Sequence, residues 1–286
     1  MLDSYKKFME NIYAREDISS LCKKYGITDY TINEDETVDV HLSVFISRYS
    51  NLKRLPLNFN SVNGDFFIAD NALETLHGCP PHIINVLSAS GNNITSFEGG
   101  PKTVGNLCDV TQNKITTLKD CPTIYGSFFC GHNYLKSLVG CPKILKTFEC
   151  NNNNLKSLVG CADTINGTFN CEYNALVDLV GGPKHVKKNI VLDHNKLTSL
   201  IGFPELYSET ATLTLYNNPV YDVYSLFNTI SAAEYMNEWE VIDVDNMQVS
   251  YLRICEVYKS LDIPVLKYEL VKNHFDNTEG NYTLVN

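Results

Sequence analysis

The nine residues NYLKSLVGC, from Asn133 to Cys141, return as NNLKSLVGC from Asn153 to Cys161. Their leading asparagine belongs to a longer series: Asn71, Asn92, Asn113, Asn133, Asn153, Asn174, Asn195 and Asn218, spaced 21, 21, 20, 20, 21, 21 and 23 apart. Ser50 lies 21 before Asn71 and fits as a degenerate first member. A unit this short cannot enclose its own apolar side chains. Copies must stack so that each covers its neighbour, which restricts the chain to a solenoid.

Other columns repeat around the asparagine. Five residues before it come Phe66, Leu87, Cys108, Phe128, Phe148, Phe169, Ile190 and Leu213, and three before it Ile68, Ala89, Val110, Cys130, Cys150, Cys171, Leu192 and Leu215. Two apolar residues separated by one position make a short strand with both side chains inward. The asparagine turns the chain, and its amide can satisfy backbone groups buried in the bend. Apolar residues two and five positions later, such as Leu135 and Leu138, fill the core, and Gly-x-Pro turns follow at Gly78–Pro80, Gly140–Pro142 and Gly202–Pro204. An Ile or Val, such as Ile83, Val104 or Ile124, closes most units.

The core phrase, apolar-x-apolar-x-x-Asn-x-Leu, is that of a leucine-rich repeat. The expected fold is an α/β solenoid with a parallel concave β-sheet. Units of this length leave room only for irregular or 3-10 returns on the convex side, and helical caps are expected at both ends. The phrase LKSLVGCPKI, with F-x-C-x-x-N, resembles the leucine-rich-repeat proteins of large tailed bacteriophages. So do Tyr30–Val44 and Leu55–Phe67. The short Pro-containing repeats of bacterial effectors are a more distant likeness. The phage likeness spans roughly residues 30–220 and implies a fold and a bacterial setting, with no catalytic residues to carry over. Effector ligases add a large catalytic domain, and the 66 residues after Val220 are too few for one.

Three parts follow from the pattern: an N-terminal helical and β-hairpin cap over residues 1–43, a solenoid over 44–220, and a mostly helical C-terminal cap over 221–286. Tyr5, Phe8, Met9 and Ile12 have helical spacing, as do Ile18, Leu21, Cys22 and Tyr25, with Asp17 to cap the second helix and Gly26 to end it. YTINEDETVDV reads as strand, acidic turn and strand. After Val220, one helix is expected over Tyr224, Phe227 and Ile230, another over Tyr251–Tyr258, and a third over Leu266, Leu270 and Val271. The N-terminus lacks the apolar stretch of a signal peptide, and no apolar run reaches membrane-spanning length. The expectation is a cytoplasmic protein of a bacterial host, without membrane contact.

The six residues preceding each asparagine form the concave strands. They contain no Lys or Arg, although the chain holds 23. They do contain Asp65, Asp70, Asp109, Glu149, Glu172 and Asp193, and the register turns Phe67, Phe129, Tyr173 and Tyr216 outward. Lysines gather on the return segments instead, among them Lys102, Lys136, Lys143, Lys156 and Lys184. Arg48 is the exception, in the degenerate first unit. Aromatic rings among carboxylates suit recognition of a protein with a basic patch. The candidate partner-binding residues are Phe67, Asp109, Phe129, Glu149, Glu172, Tyr173, Asp193 and Tyr216. The plainer reading is that packed strands merely avoid long cations. A net charge of −10 and a cation-free face argue against direct nucleic-acid binding.

No cofactor and no enzyme activity are expected. Seven of the ten cysteines form two stacks, Cys130/Cys150/Cys171 and Cys121/Cys141/Cys161, the latter joined by Cys79. Parallel rows do not converge on a metal and read as small core fillers. His132 and His194 fall three units apart, too far for shared catalysis. A His194–Glu172 acid–base pair is a lesser possibility. Two function classes remain: a binding module that grips a host protein, and a self-assembling or virion-associated structural protein.

Overall fold

A computed structural model describes residues 17–208, 210–227, 229–278 and 281–286. The chain forms two compact units, Met1–Leu135 with Val139–Thr147, and Lys136–Leu138 with Phe148–Asn286. Each winds as a parallel β-solenoid.

In the first unit, β1 (Tyr30–Ile32) and β2 (Val38–Val40) pair antiparallel around the acidic turn. Thereafter every turn contributes two strands. One sheet is built from β3 (Val44–Phe45), β5 (Phe66–Phe67), β7 (Val86–Ser88), β9 (Leu107–Asp109) and β11 (Ser127–Phe129). Its ladder sets Phe66 beside Leu87, Leu87 beside Cys108 and Cys108 beside Phe128. These are the inward residues of the repeat, and all are fully buried. In the second unit β13 (Phe148–Glu149), β15 (Phe169–Asn170), β17 (Ile190–Val191) and β19 (Leu213–Thr214) continue the pattern, with Phe148, Phe169, Ile190 and Leu213 in register. Each fully buried Leu or Phe contributes about 1.5–3 kcal/mol by leaving water.

The returns are irregular, as expected, up to their last residues, where a second sheet appears. The closing Ile or Val lies in a second parallel sheet, formed in the first unit by β4 (Phe59–Val62), β6 (His82–Ile83), β8 (Thr103–Val104) and β10 (Thr123–Ile124). The first unit also holds β12 (Ile144–Leu145), and in the second unit β14 (Thr164–Ile165), β16 (His185–Val186) and β18 (Leu206–Tyr207) do the same. Ile83, Val104, Ile124, Ile165 and Val186 point inward and are buried. The outward partners bond across turns: His82 Nδ1 lies 2.9 Å from Thr103 Oγ1, and Thr164 Oγ1 3.4 Å from His185 Nδ1. No described residue is in a 3-10 helix.

The asparagines do more than fill a bend. Asn113 Oδ1 accepts the Ile94 N–H at 2.9 Å, while its Nδ2 donates to Ala89 O at 2.9 Å and to Val110 O at 3.2 Å. Ile94 and Ala89 belong to the preceding turn, so one side chain sews two turns together. Asn92, Asn195 and Asn218 repeat the scheme and are likewise buried.

The first turn is one residue out of the expected register. Val44 pairs with Phe66, an offset of 22, and Arg48 takes the place of Asp70. Tyr49, not Ser50, therefore stands where later turns carry asparagine, and its N–H reaches Asn71 Oδ1 at 2.7 Å.

The helix expected over Tyr5–Ile12 lies outside the described residues. Residues 17–24 form the first helix described, α1, and Asp17 is already inside it, so it does not cap it. Gly26, at φ +70°, does end it: Gly26 N–H donates to Lys23 O and Ile27 N–H to Cys22 O.

After Val220 the single helix expected over Tyr224–Ile230 is replaced by two, α2 (Tyr221–Tyr224) and α3 (Ser231–Glu238), with Phe227 and Ile230 buried between them. Helices α4 (Tyr251–Ser260) and α5 (Tyr268–Asp276) match the other two, although Leu266 precedes α5 and Leu270 faces solvent. An unexpected sheet joins them: β20 (Ile242–Asp243), β21 (Gln248–Ser250) and β22 (Thr283–Val285). Asn237 Nδ2 donates to Leu200 O at 2.6 Å and the Tyr282 hydroxyl to Thr198 O at 2.7 Å, tying this segment to the repeats of the second unit.

All ten cysteines are free thiols. Burial pushes the Cys79, Cys108 and Cys121 thiols well above their ordinary range. Cys79, Cys108, Cys130, Cys150 and Cys171 are buried, and iodoacetamide at pH 8 is expected to leave them unmodified in the folded protein. Peptide mapping should show all of them alkylated once urea unfolds it.

Candidate binding surface

Each outward sheet ends in one residue with left-handed backbone, immediately before the asparagine. These are Asp70, Gly91, Gln112 and His132 in the first unit, and Asn152, Tyr173, His194 and Asn217 in the second. Gly, Asn and Asp take this conformation readily, whereas a bulky side chain there carries strain of order 1–3 kcal/mol. Tyr173, at φ +52°, is such a residue, and it is 47% exposed. Core packing does not account for a tyrosine there.

In the second unit this ring starts a row. Tyr173 stacks on His194 with centroids 4.1 Å apart and planes 9° from parallel. His194 meets Tyr216 edge to face at 6.0 Å, and Tyr216 meets Tyr221 in the same manner at 6.0 Å. Asn217 Nδ2 donates to His194 Nδ1 at 2.9 Å, so His194 is oriented by Asn217 and Tyr173. Beyond Tyr216 the surface opens into a cleft of about 570 Å³ lined by Tyr216, Asn217, Tyr221, Asp222, Asn277 and Asn281, among others.

The candidate residues of the second unit divide by role. Asp193 accepts from the Thr214 hydroxyl at 2.8 Å and from the Tyr216 N–H at 2.6 Å, so it holds the aromatic row in place. Glu172 is half-buried. Neither it, Asp193 nor Asp222 has a Lys or Arg partner among the described residues. Glu149 sits beside Asn170 in the ladder.

In the first unit Phe67 stacks on Phe45 at 5.0 Å and 9°, and Phe45 is 62% exposed. Phe129 neighbours Asp109, whose carboxylate accepts from the N–H and hydroxyl of Thr111. Asp109 thus secures its own strand end. Asp65 accepts from Asn85 Nδ2, and Asp70 lies 4.0 Å from Arg48. Phe45, Tyr221 and Asp222 were not among the sequence candidates. Phe45 was hidden by the register of the first turn, and the other two lie past the last repeat.

Among the described residues no three His, Cys, Asp or Glu side chains gather as a metal site, and no helix is long and apolar enough to cross a membrane. No protein-family model matches the chain, and no curated protein matches it.

Proposed function

We propose that the chain is a non-enzymatic binding protein of the leucine-rich-repeat type, with helical segments capping its solenoid. It grips a protein partner through the asparagine-led sheet. The observation that carries this reading is the set of unneutralised carboxylates beside exposed rings: Glu172, Asp193 and Asp222 next to Tyr173 and Tyr216. A partner with a basic patch supplies the missing cations, and opposite charge steers encounter as well as holding the complex. The resemblance to repeats of large tailed phages makes that partner a host protein in the bacterial cytoplasm. The reading needs no cofactor and no direct contact with nucleic acid.

The test is affinity capture from bacterial lysate with wild type and a folded Phe129→Ala, Glu149→Lys, Glu172→Lys variant. Wild type is expected to retain one basic protein, and the variant to lose at least tenfold, since truncating a desolvated charge contact costs about 2–5 kcal/mol. Equal retention by both would rule out the sheet as the working surface.

The structural, self-assembling alternative rests on a separate observation. Val159, Val180 and Ile201 occupy one turn position in the second unit and are 55%, 48% and 54% exposed. If that row is a contact between copies, purified protein elutes as a large assembly that Val180→Lys dissociates.

A further inference from the structure

The cleft at the end of the aromatic row is lined by tyrosine rings, amide side chains and one carboxylate. Four asparagines line it, and each donates an amide hydrogen to the protein: Asn217 to His194 Nδ1, Asn218 to Leu192 O at 2.9 Å, Asn277 to Asn273 O at 2.6 Å, and Asn281 to Asp222 Oδ2 at 2.9 Å. The Thr278 hydroxyl donates to Phe275 O at 3.0 Å. The Asn218 oxygen accepts the Leu197 N–H, while the side-chain oxygens of Asn217, Asn277 and Asn281 accept no hydrogen bond from the described residues and remain for a ligand. Asp222 adds a carboxylate without a cationic partner among the described residues. Tyr216, 60% exposed, and Tyr221 add ring surface.

A ligand for this cleft has to bring donors, positive charge and a flat face that lies against tyrosine. We propose that the cleft seats one arginine side chain of an extended segment of the protein partner, with the neighbouring residues running back over His194 and Tyr173. This rests on the binding function proposed above and names the anchor that it needs. A guanidinium carries five N–H donors in a plane and no acceptor. It can pair with the Asp222 carboxylate and the asparagine oxygens while its face packs on Tyr216. A lysine ammonium would answer the charge but not the plane. A phosphate or carboxylate would meet the carboxylate and the amide oxygens and be repelled. The volume, about 570 Å³, lies within the roughly 300–1,000 Å³ of small-ligand sites, enough for the side chain with its flanking backbone.

The test titrates ¹⁵N-labelled full-length protein with the blocked peptide acetyl-Gly-Gly-Arg-Gly-Gly-amide at low salt. Its citrulline analogue replaces the guanidinium by a neutral urea of the same shape, and maltohexaose serves as a neutral sugar probe. Saturable shifts are expected at Tyr216, Asn217, Tyr221 and Asn281. The citrulline peptide should bind about tenfold more weakly, as should Asp222→Asn with the arginine peptide, and Tyr216→Leu about threefold more weakly. Thermal melts establish that both variants are folded, and Tyr216, being exposed, guards against a purely structural effect. The proposal is overturned if the citrulline peptide binds as well as the arginine peptide, if Asp222→Asn binds as wild type does, or if the shifts fall elsewhere. Maltohexaose binding more tightly at the same residues would make this a sugar site. The two readings fail separately. No peptide binding, with capture still lost in the charge-reversed variant, removes the arginine seat and keeps the sheet. Peptide binding, with capture unchanged in that variant, does the reverse.

Discussion

Gly126→Ala is expected to destabilise the first unit by about 4 kcal/mol or to prevent its folding, although it adds a single methyl group. A Cβ at Gly126 would lie 1.6 Å from the carbonyl oxygen of Asn106 and 2.4 Å from its carbon. Gly126 occupies the corner between the two strands of its turn, directly against the corner of the turn before. Asn106 O accepts the Ser127 N–H at 2.7 Å, and Val104 O accepts the Tyr125 N–H at 3.0 Å, so backbone meets backbone. No side chain is there to swing aside. Making room means lifting one turn from the other, which breaks these bonds and draws Phe128 away from Cys108 beneath it. Gly26→Ala provides the contrast. Its backbone is left-handed, but nothing lies within 4 Å of the added methyl, so only the conformational cost of about 1–2 kcal/mol applies. Urea unfolding followed by circular dichroism would rank the two. A Gly126→Ala midpoint within experimental error of wild type would mean that the corners of successive turns are not in contact.

The repeat was legible because its inward residues are apolar at nearly constant spacing. Phe66, Leu87, Cys108 and Phe128 could be aligned from the asparagine alone, and the ladder pairs them so. The second sheet was not, for a physical reason. Apart from β4, each of its strands has two residues, and only one faces inward, so no alternation exists to be seen. The signal was the pair itself: a polar residue before each closing Ile or Val, as in His82–Ile83, Thr103–Val104 and Thr164–Ile165, whose outward members bond across turns. The candidate surface was half legible. Tyr173 and Tyr216 were chosen as outward residues, but they stand one and two places before their asparagines. Their union through His194 depends on the left-handed residue that splays each strand end. Tyr221 and Asp222 complete the row only because the chain turns into α2 directly after the last asparagine, which no repeat predicts. Asp109 and Asp193 show the converse, since sequence assigned them to a partner and both also hold their own backbone.

Asn113→Leu is expected to lower stability by about 3 kcal/mol, the second-largest single effect. Leucine has nearly the shape of asparagine, and the site is 6% exposed, so apolar burial partly offsets the change. What shape cannot replace is the bonding. The Ile94 N–H finds its acceptor in Asn113 Oδ1, and Ala89 O, Val110 O and Thr111 O share the Nδ2 hydrogens. A buried donor stripped of its acceptor costs about 1–3 kcal/mol, beyond the lost bonds themselves. Asn71→Leu should cost less, about 1 kcal/mol, because that site is partly open and water can reach the abandoned groups. Asn113→Asp separates the two halves of the amide. A carboxylate still accepts from Ile94 but faces the carbonyl oxygens of Ala89 and Val110 with no hydrogen to give. Its pKa in the folded protein would rise above that of the unfolded chain. The penalty then grows as pH climbs through the ordinary carboxylate range near pH 4 and shrinks when acid restores a proton. Unfolding midpoints at pH 4 and pH 7 would measure this. If Asn113→Asp matches wild type at both, the amide hydrogens do not bind one turn to the next.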